Sequence, residues 1–306
     1  LIQGVGVTDR IAIIGAGLAG LAAGRALTET GMTPVIFEKS RGLGGRLATR
    51  RTDFGPIDHG APGVPASVPG GGEVWHSAPV EMRQTGLPGM SALARAMSGG
   101  LDIRKSVEVQ PLIRAENTWR LSDQQGVGLG VFDRVIVTAP PIQAATLTAA
   151  DATLSAQITK ADMSPLWTLL IAFADPTGLE QEVLTLGGAL AKAIPMLAKP
   201  GQTGLERWTV HASPDWSAEN LELEKDDAAA RLLEAVREQV DLPGEPDYLA
   251  AHRWRYARGR TPLGMPFAAS ADGRLIVGGD WALGRLASDA VESGRAMAAH
   301  VIRNAG

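Results

Sequence analysis

Arg10-Ile11-Ala12-Ile13-Ile14-Gly15-Ala16-Gly17-Leu18-Ala19-Gly20 is the stretch that decides the fold. A short apolar run breaks at Gly15, and an Ala- and Leu-rich stretch at helical spacing follows to about Thr30. The order is therefore strand, tight turn, helix. A second apolar run, Pro34 to Phe37, ends in Glu38 and completes a βαβ unit. Gly15 to Gly20 match G-x-G-x-x-G between a strand and a helix, the only context in which that spacing is informative. Gly15 permits the turn, Gly17 lets backbone amides approach a pyrophosphate, and Gly20 allows close helix packing, while the helix N-terminus supplies partial positive charge. Glu38 is placed to accept hydrogen bonds from ribose hydroxyls. This much does not separate NAD from FAD.

The next residues add to it. Ser40-Arg41-Gly42-Leu43-Gly44-Gly45-Arg46 follows Glu38 and Lys39 directly; its double glycine offers a second backbone surface beside a phosphate, and Arg46 offers charge. The pattern E-K-S-x-x-x-G-G-R-x-x-T, from Glu38 to Thr49, resembles the flavin-containing amine oxidase superfamily. Near the other end, Val277-Gly278-Gly279-Asp280 is similar to the Gly-Asp pair that follows the last strand in that superfamily, where the Asp meets the ribityl and diphosphate region. The resemblance implies an α/β chain with a Rossmann-type, glutathione-reductase-like FAD-binding domain and an interleaved smaller α+β substrate domain. It also implies non-covalent FAD held through Gly15, Gly17, Gly20, Glu38, Lys39, Gly44, Gly45, Arg46, Gly279 and Asp280.

Further strings resemble bacterial renalase-like proteins, which oxidise off-pathway dihydro isomers of NAD(P)H with oxygen. They include Asp58-His59-Gly60-Ala61, Pro88-Gly89-Met90-Ser91-Ala92, His211-Ala212-Ser213, Ala251-His252-Arg253-Trp254, Tyr256-Ala257-Arg258 and Gly279-Asp280-Trp281. The chain departs from that pattern at Pro62-Gly63-Val64-Pro65, at Pro195-Met196, where an Arg-Asn pair is usual, and at Ser288-Asp289-Ala290. The resemblance implies hydride transfer from a dihydropyridine to flavin N5 and reoxidation by O2 to H2O2. Such a donor needs no side-chain base, because its ring nitrogen expels the hydride. His211 is the candidate for orienting substrate; Trp254 and Trp281 are the aromatic candidates for the catalytic site. Two alternatives stay open: oxidation of an amine or another cyclic donor on the same fold, and a non-catalytic flavin-binding protein that acts through a partner.

Composition narrows the partners. The 306 residues carry 29 Lys and Arg against 33 Asp and Glu, a net charge of −4, so no positive field exists to hold nucleic acid non-specifically. The longest strongly apolar run, Leu166 to Ala174, is too short for a membrane span. The first ten residues have neither the basic nor the apolar region of a secretory leader, so a cytoplasmic location is expected; a monomer acting on small molecules is expected as well. The absence of Cys excludes disulfides, thiol nucleophiles and a cysteinyl flavin link. Asp58 and His59 alone make a poor metal site, and no metal is expected.

The FAD-binding domain is expected from residues 1–60, 86–145 and 247–306, and the substrate domain from 61–85 and 146–246. Gly55 to Gly72, rich in Pro and Gly, reads as an irregular loop; Pro88 to Met97 reads as a helix and Ile103 to Val137 as a β-meander. Met163 to Val210 reads as a second sheet, Leu221 to Val240 as a surface helix, and Leu275 to Val277 as a buried strand before a final helix reaching His300.

Overall fold

All four residues of the Ile11–Ile14 strand are buried. A strand covered on both faces has no use for alternation, which is why it reads as a continuous apolar run. In the computed structural model, which describes residues 9–76 and 82–305, this strand is interior to a six-stranded sheet. Along that sheet lie Phe267–Ala269, Leu275–Gly278, Arg134–Val137, Ile11–Ile14, Val35–Glu38 and Asp102–Lys105. All neighbours are parallel except the Phe267–Ala269 edge strand. The chain leaves Ile14 toward Val35 on one side and returns to Arg134 on the other, so a topological switch point falls beyond the C-terminal ends of Ile11–Ile14 and Arg134–Val137. In open α/β sheets ligands bind at that point. The helices Leu18–Thr28 and Ala287–Asn304 pack closely because Gly294 lies against Ala19; a Cβ on Gly294 would stand 2.2 Å from the Ala19 carbonyl oxygen.

The chain divides into two compact units, Leu1–Gly45 with Met97–Asp162 and Arg260–Gly306, and Arg46–Ala96 with Met163–Gly259. These boundaries differ from the expected ones: 46–60, 86–96 and 247–259 fall in the second unit, and 146–162 in the first. Residues 1–8, which carry most of the leader reading, and 77–81 of the expected substrate segment lie outside the described residues. The first unit also holds the expected meander, Ile113–Ala115, Thr118–Ser122 and Gly128–Phe132. The ends of that expected span, Asp102–Lys105 and Arg134–Val137, join the parallel sheet instead.

The second unit is built on a five-stranded sheet ordered Leu184–Thr185, Leu190–Pro195, Glu206–Ala212, Asp162–Phe173, Tyr248–Thr261. One face carries Trp167, Leu169, Ile171, Trp208 and Val210 and is covered by the Lys225–Arg237 helix through Leu232, Leu233 and Val236. The other face packs Leu170, Ala172 and Ile194 against Ile57 and Trp75. The segment read as an irregular loop is partly regular, which corrects that expectation: Gly55–Asp58 pairs antiparallel with Thr49–Thr52, and Val64–Pro65 with Met82–Thr85. Pro56 is tolerated because a two-stranded ribbon has an unpaired outer edge for a residue without an N–H.

Candidate functional site

Three loops meet at the switch point of the first unit. Gly15 has φ +104°, and a Cβ there would stand 2.6 Å from Thr138 Oγ1. The Thr138 hydroxyl donates to the Ile14 carbonyl at 2.9 Å and tethers the turn to the end of the neighbouring strand. Gly20 is required for a different reason, since its Cβ would lie 1.9 Å from the Gly15 carbonyl oxygen. Gly17 is under no such constraint: nothing lies within 4 Å of the Cβ it lacks. It is also the N-cap of the Leu18–Thr28 helix, and no side chain caps it.

An uncapped helix N-terminus with an unobstructed approach suits an anion, because its first amides lack intrahelical acceptors and its dipole is positive there. Gly44 and Gly45, at φ +97° and +54°, form the second wall. The Gly44 amide donates to the Ala16 carbonyl at 2.9 Å, in a parallel bridge between Gly17 and Gly44. Glu38 ties the two walls together, accepting from the Ala16 amide through one carboxylate oxygen and from the Ser40 amide through the other, each at 2.8 Å. The residues present therefore fit the diphosphate and ribose of a dinucleotide, with open space where a side chain at position 17 would stand.

The remaining expected contacts are less uniform. Lys39 is exposed and donates to Gln143 at 3.3 Å. Arg46 lies in the second unit and donates to the Ala257 carbonyl at 2.9 Å. The Gly279 amide donates to Ser293 Oγ at 2.9 Å, and Asp280 is buried at the start of the short Asp280–Leu283 helix. Trp281 is buried as well, and its indole N–H donates to the Ala139 carbonyl at 3.1 Å.

The second unit collects the other candidates. Trp254 donates its indole N–H to the His59 carbonyl at 2.7 Å and stacks on the His59 ring at 5.5 Å between centroids and 21° between planes. His252 closes the group, 4.6 Å from His59 and 4.4 Å from Trp254. Burial lowers the His59 pKa to about 4, with Arg50 adding to the shift and Asp58 opposing it. Burial, then His59, Arg50 and Lys225, bring His252 to about 3. His211, on the Glu206–Ala212 strand, is brought to about 3 by burial, with Arg258, Lys192 and Lys199 acting in the same direction and the Gly60 carbonyl against it. All three imidazoles are thus neutral at physiological pH. Arg253 and Arg255 instead pair with Glu222, Arg255 through two bonds of 2.7 and 2.6 Å.

Sequence reasoning missed the Lys199–Asp58 ion pair, 2.7 Å long, with both side chains at 1% exposure or less. Its partners lie 141 residues apart, and no local pattern links them. The role of Thr138 was missed too; the signal available was its place one residue beyond a buried strand.

The chain matches the family of flavin containing amine oxidoreductases over residues 70–302 and the NAD(P)-binding Rossmann-like domain over residues 13–77. Among solved structures it is similar to a protein from Exiguobacterium sp. 255-15 provisionally described as a protoporphyrinogen oxidase. That match has 12% identity and a TM-score of 0.75, covering 96% of this chain and 98% of that one. It is also similar to cyclohexylamine oxidase from Brevibacterium oxydans IH-35A, at 12% identity and TM-score 0.72, covering 97% and 99%. A putrescine oxidase bound to putrescine matches at 14% identity and TM-score 0.67, covering 96% and 99%. At such identities the structural likenesses speak for the fold, whereas the family match spans most of the chain. With a Rossmann-type cradle whose glycines fit a dinucleotide, the chain belongs to the flavin containing amine oxidoreductase family and is an FAD-dependent oxidoreductase.

Proposed function

We propose that the protein is a renalase-like oxidase that takes hydride from a 1,2- or 1,6-dihydro isomer of NAD(P). FAD, held non-covalently, supplies the hydride acceptor at N5 and returns the electrons to O2 as H2O2. The observation that carries this reading is the neutral aromatic group His59, Trp254 and His252, whose planar faces suit a planar ring donor and which offers no protonated imidazole at neutral pH.

The tasks left to the chain are few. Gly17, Gly44 and the amides opening the Leu18–Thr28 helix bind the diphosphate, and Glu38 accepts from ribose hydroxyls. Trp281, anchored to Ala139, supports the turn at Gly279-Asp280. Trp254 and His59 hold the donor ring, and His211 orients its substituent. No proton need be taken from carbon, so the lowered pKa values of His59, His211 and His252 are no obstacle.

A second reading, oxidation of an amine, is favoured by the family to which the chain belongs. The test is anaerobic mixing of FAD-loaded protein with the 1,2- and 1,6-dihydro isomers, with ordinary NADH, and with cyclohexylamine, following oxidised-flavin absorbance. Fast bleaching by an isomer and not by NADH is expected. Bleaching by the amine alone would replace the first reading with the second.

A further inference from the structure

Directly opposed residues in an antiparallel ladder share a face of the sheet. In the second unit Lys192 opposes His211 across one ladder and Thr168 opposes His211 across the next, so Lys192, His211 and Thr168 form one row over three strands. The row lies on the face opposite to the one covered by the Lys225–Arg237 helix, because its neighbours along the strands, Trp167, Leu169, Val210 and Ala212, pack with that helix.

Below the row, polar groups on the same face reach backbone carbonyls, although Arg207 Nε has no partner among the described residues. Thr209 donates to the Asp58 carbonyl at 2.7 Å, and Arg207 directs its terminal nitrogens to the carbonyls of Phe54 and Thr203. In the row itself Thr168 Oγ1 has no hydrogen-bond partner among the described residues, and His211 has none but the Gly60 carbonyl, which acts on one of its ring nitrogens. Thr168 is fully buried and His211 is 2% exposed. Two adjacent buried side chains, each with an unpartnered polar atom, cost stability unless something else binds them.

The chemistry of that partner follows from what surrounds it. Lys192, Lys199 and Arg258 bring positive charge to His211, and the nearby carboxylate, Asp58, is already paired with Lys199. An ammonium group placed here would meet the positive charge of Lys192 and Arg258, and the Asp58 carboxylate is already taken by Lys199. With its N–H toward the Gly60 carbonyl, the neutral imidazole keeps an acceptor nitrogen, and the threonine hydroxyl offers both a donor and an acceptor. A bare carboxylate would leave the imidazole acceptor unmatched, whereas a primary carboxamide presents an acceptor oxygen and two donor hydrogens on one plane.

We propose that the Lys192–His211–Thr168 row is the recognition site for an uncharged primary carboxamide on the donor and that it selects against donors carrying an ammonium group. This rests on the dihydronicotinamide reading above and deepens it, making His211 and Thr168 specificity-determining residues rather than catalytic ones.

The test is calorimetric titration of the FAD-loaded protein with nicotinamide and with benzylamine at pH 7, for the native chain and for Thr168→Val, Thr168→Ser and Lys192→Glu. Nicotinamide should bind at least about tenfold tighter than benzylamine, and Thr168→Val, close in shape, should weaken nicotinamide about tenfold, the size of one buried hydrogen bond. Thr168→Ser should restore most of that loss, and Lys192→Glu should narrow the preference over benzylamine. Absence of nicotinamide binding, equal binding of benzylamine, or a Thr168→Val protein that only gains thermal stability would each overturn the proposal. Should Thr168→Val not fold, Lys192→Glu at its partly exposed position decides the charge preference alone.

Failure of the two readings is separable. If the dihydro isomers leave the flavin oxidised while nicotinamide binds and depends on Thr168, the donor assignment fails and the carboxamide site stands. If the isomers bleach the flavin and Thr168→Val alters neither bleaching nor binding, the site fails alone.

Discussion

Replacing Asp58 by Asn tests how the second unit is held together. The Asp58 carboxylate accepts from Lys199 Nζ at 2.7 Å, from Thr49 Oγ1 at 2.6 Å and from the Met90 amide at 2.8 Å. Asparagine can keep the last two bonds through its carbonyl oxygen, but its amide nitrogen would then face the lysine, donor against donor. Lys199 would be left as an unpaired charge at 0% side-chain exposure. Removing one partner of such a pair costs about 3–5 kcal/mol, a large part of the roughly 5–15 kcal/mol that holds a domain. Lys199→Met alone should cost less, since the carboxylate retains two donors. The double variant Asp58→Asn with Lys199→Met removes the stranded charge and leaves one amide N–H group unmatched, at about 1–3 kcal/mol. Urea unfolding of the holoprotein, followed by far-ultraviolet circular dichroism, should therefore rank the double variant above Asp58→Asn. If Asp58→Asn costs under about 1 kcal/mol, or the double variant is no more stable than Asp58→Asn, the argument that this pair is a buried ionic tie is wrong.

Three further outcomes are expected. Gly17→Val should fold normally, because nothing lies within 4 Å of the missing Cβ, yet lose FAD at least about tenfold in affinity by obstructing the diphosphate, as read by flavin retained after dialysis. Glu38→Ala removes the acceptor for the Ala16 and Ser40 amides, so it should lower both flavin content and melting temperature; unchanged values would mean the two walls do not depend on it. Acid should destabilise the protein in a window set by His211, His252 and His59, whose folded pKa values of about 3, about 3 and about 4 lie below the ordinary 6.5. The unfolded chain takes up protons as pH falls through 6.5 and the folded one does not, so stability is complete above that pH and is lost below it. The loss is about 1.4 kcal/mol per pH unit per group, or about 6 kcal/mol for the three at pH 5. In His211→Gln the slope should fall by about a third, and an unaltered slope would count against buried neutral histidine as its source.

What could be read from the chain, and what could not, follows the range over which each constraint acts. The nucleotide loop is local: Gly15 needs positive φ and Gly20 has a carbonyl 1.9 Å from its absent Cβ, so both requirements appear as fixed spacings within one turn. The buried strands Ile11–Ile14 and Leu275–Gly278 are legible for a similar reason, since coverage on both faces removes polar residues from a short window. The Gly55–Asp58 strand was hidden because Pro and Gly inform about backbone freedom and say nothing of a partner strand; pairing with Thr49–Thr52 makes it regular. The unit boundaries were hidden because contacts between distant segments, not composition, assign 46–60 and 247–259 to the second unit. His211 could be singled out as an isolated histidine, but its meaning depends on register. A shift of one residue between the Glu206–Ala212 and Asp162–Phe173 strands would turn Thr168 toward the Lys225–Arg237 helix and bring Trp167 beside His211. The polar row is therefore a property of the pairing of three strands, and its unpartnered polar atoms are what a sequence cannot display. That difference in range is also why the cofactor follows from motifs while the donor has to be argued from a face of the sheet.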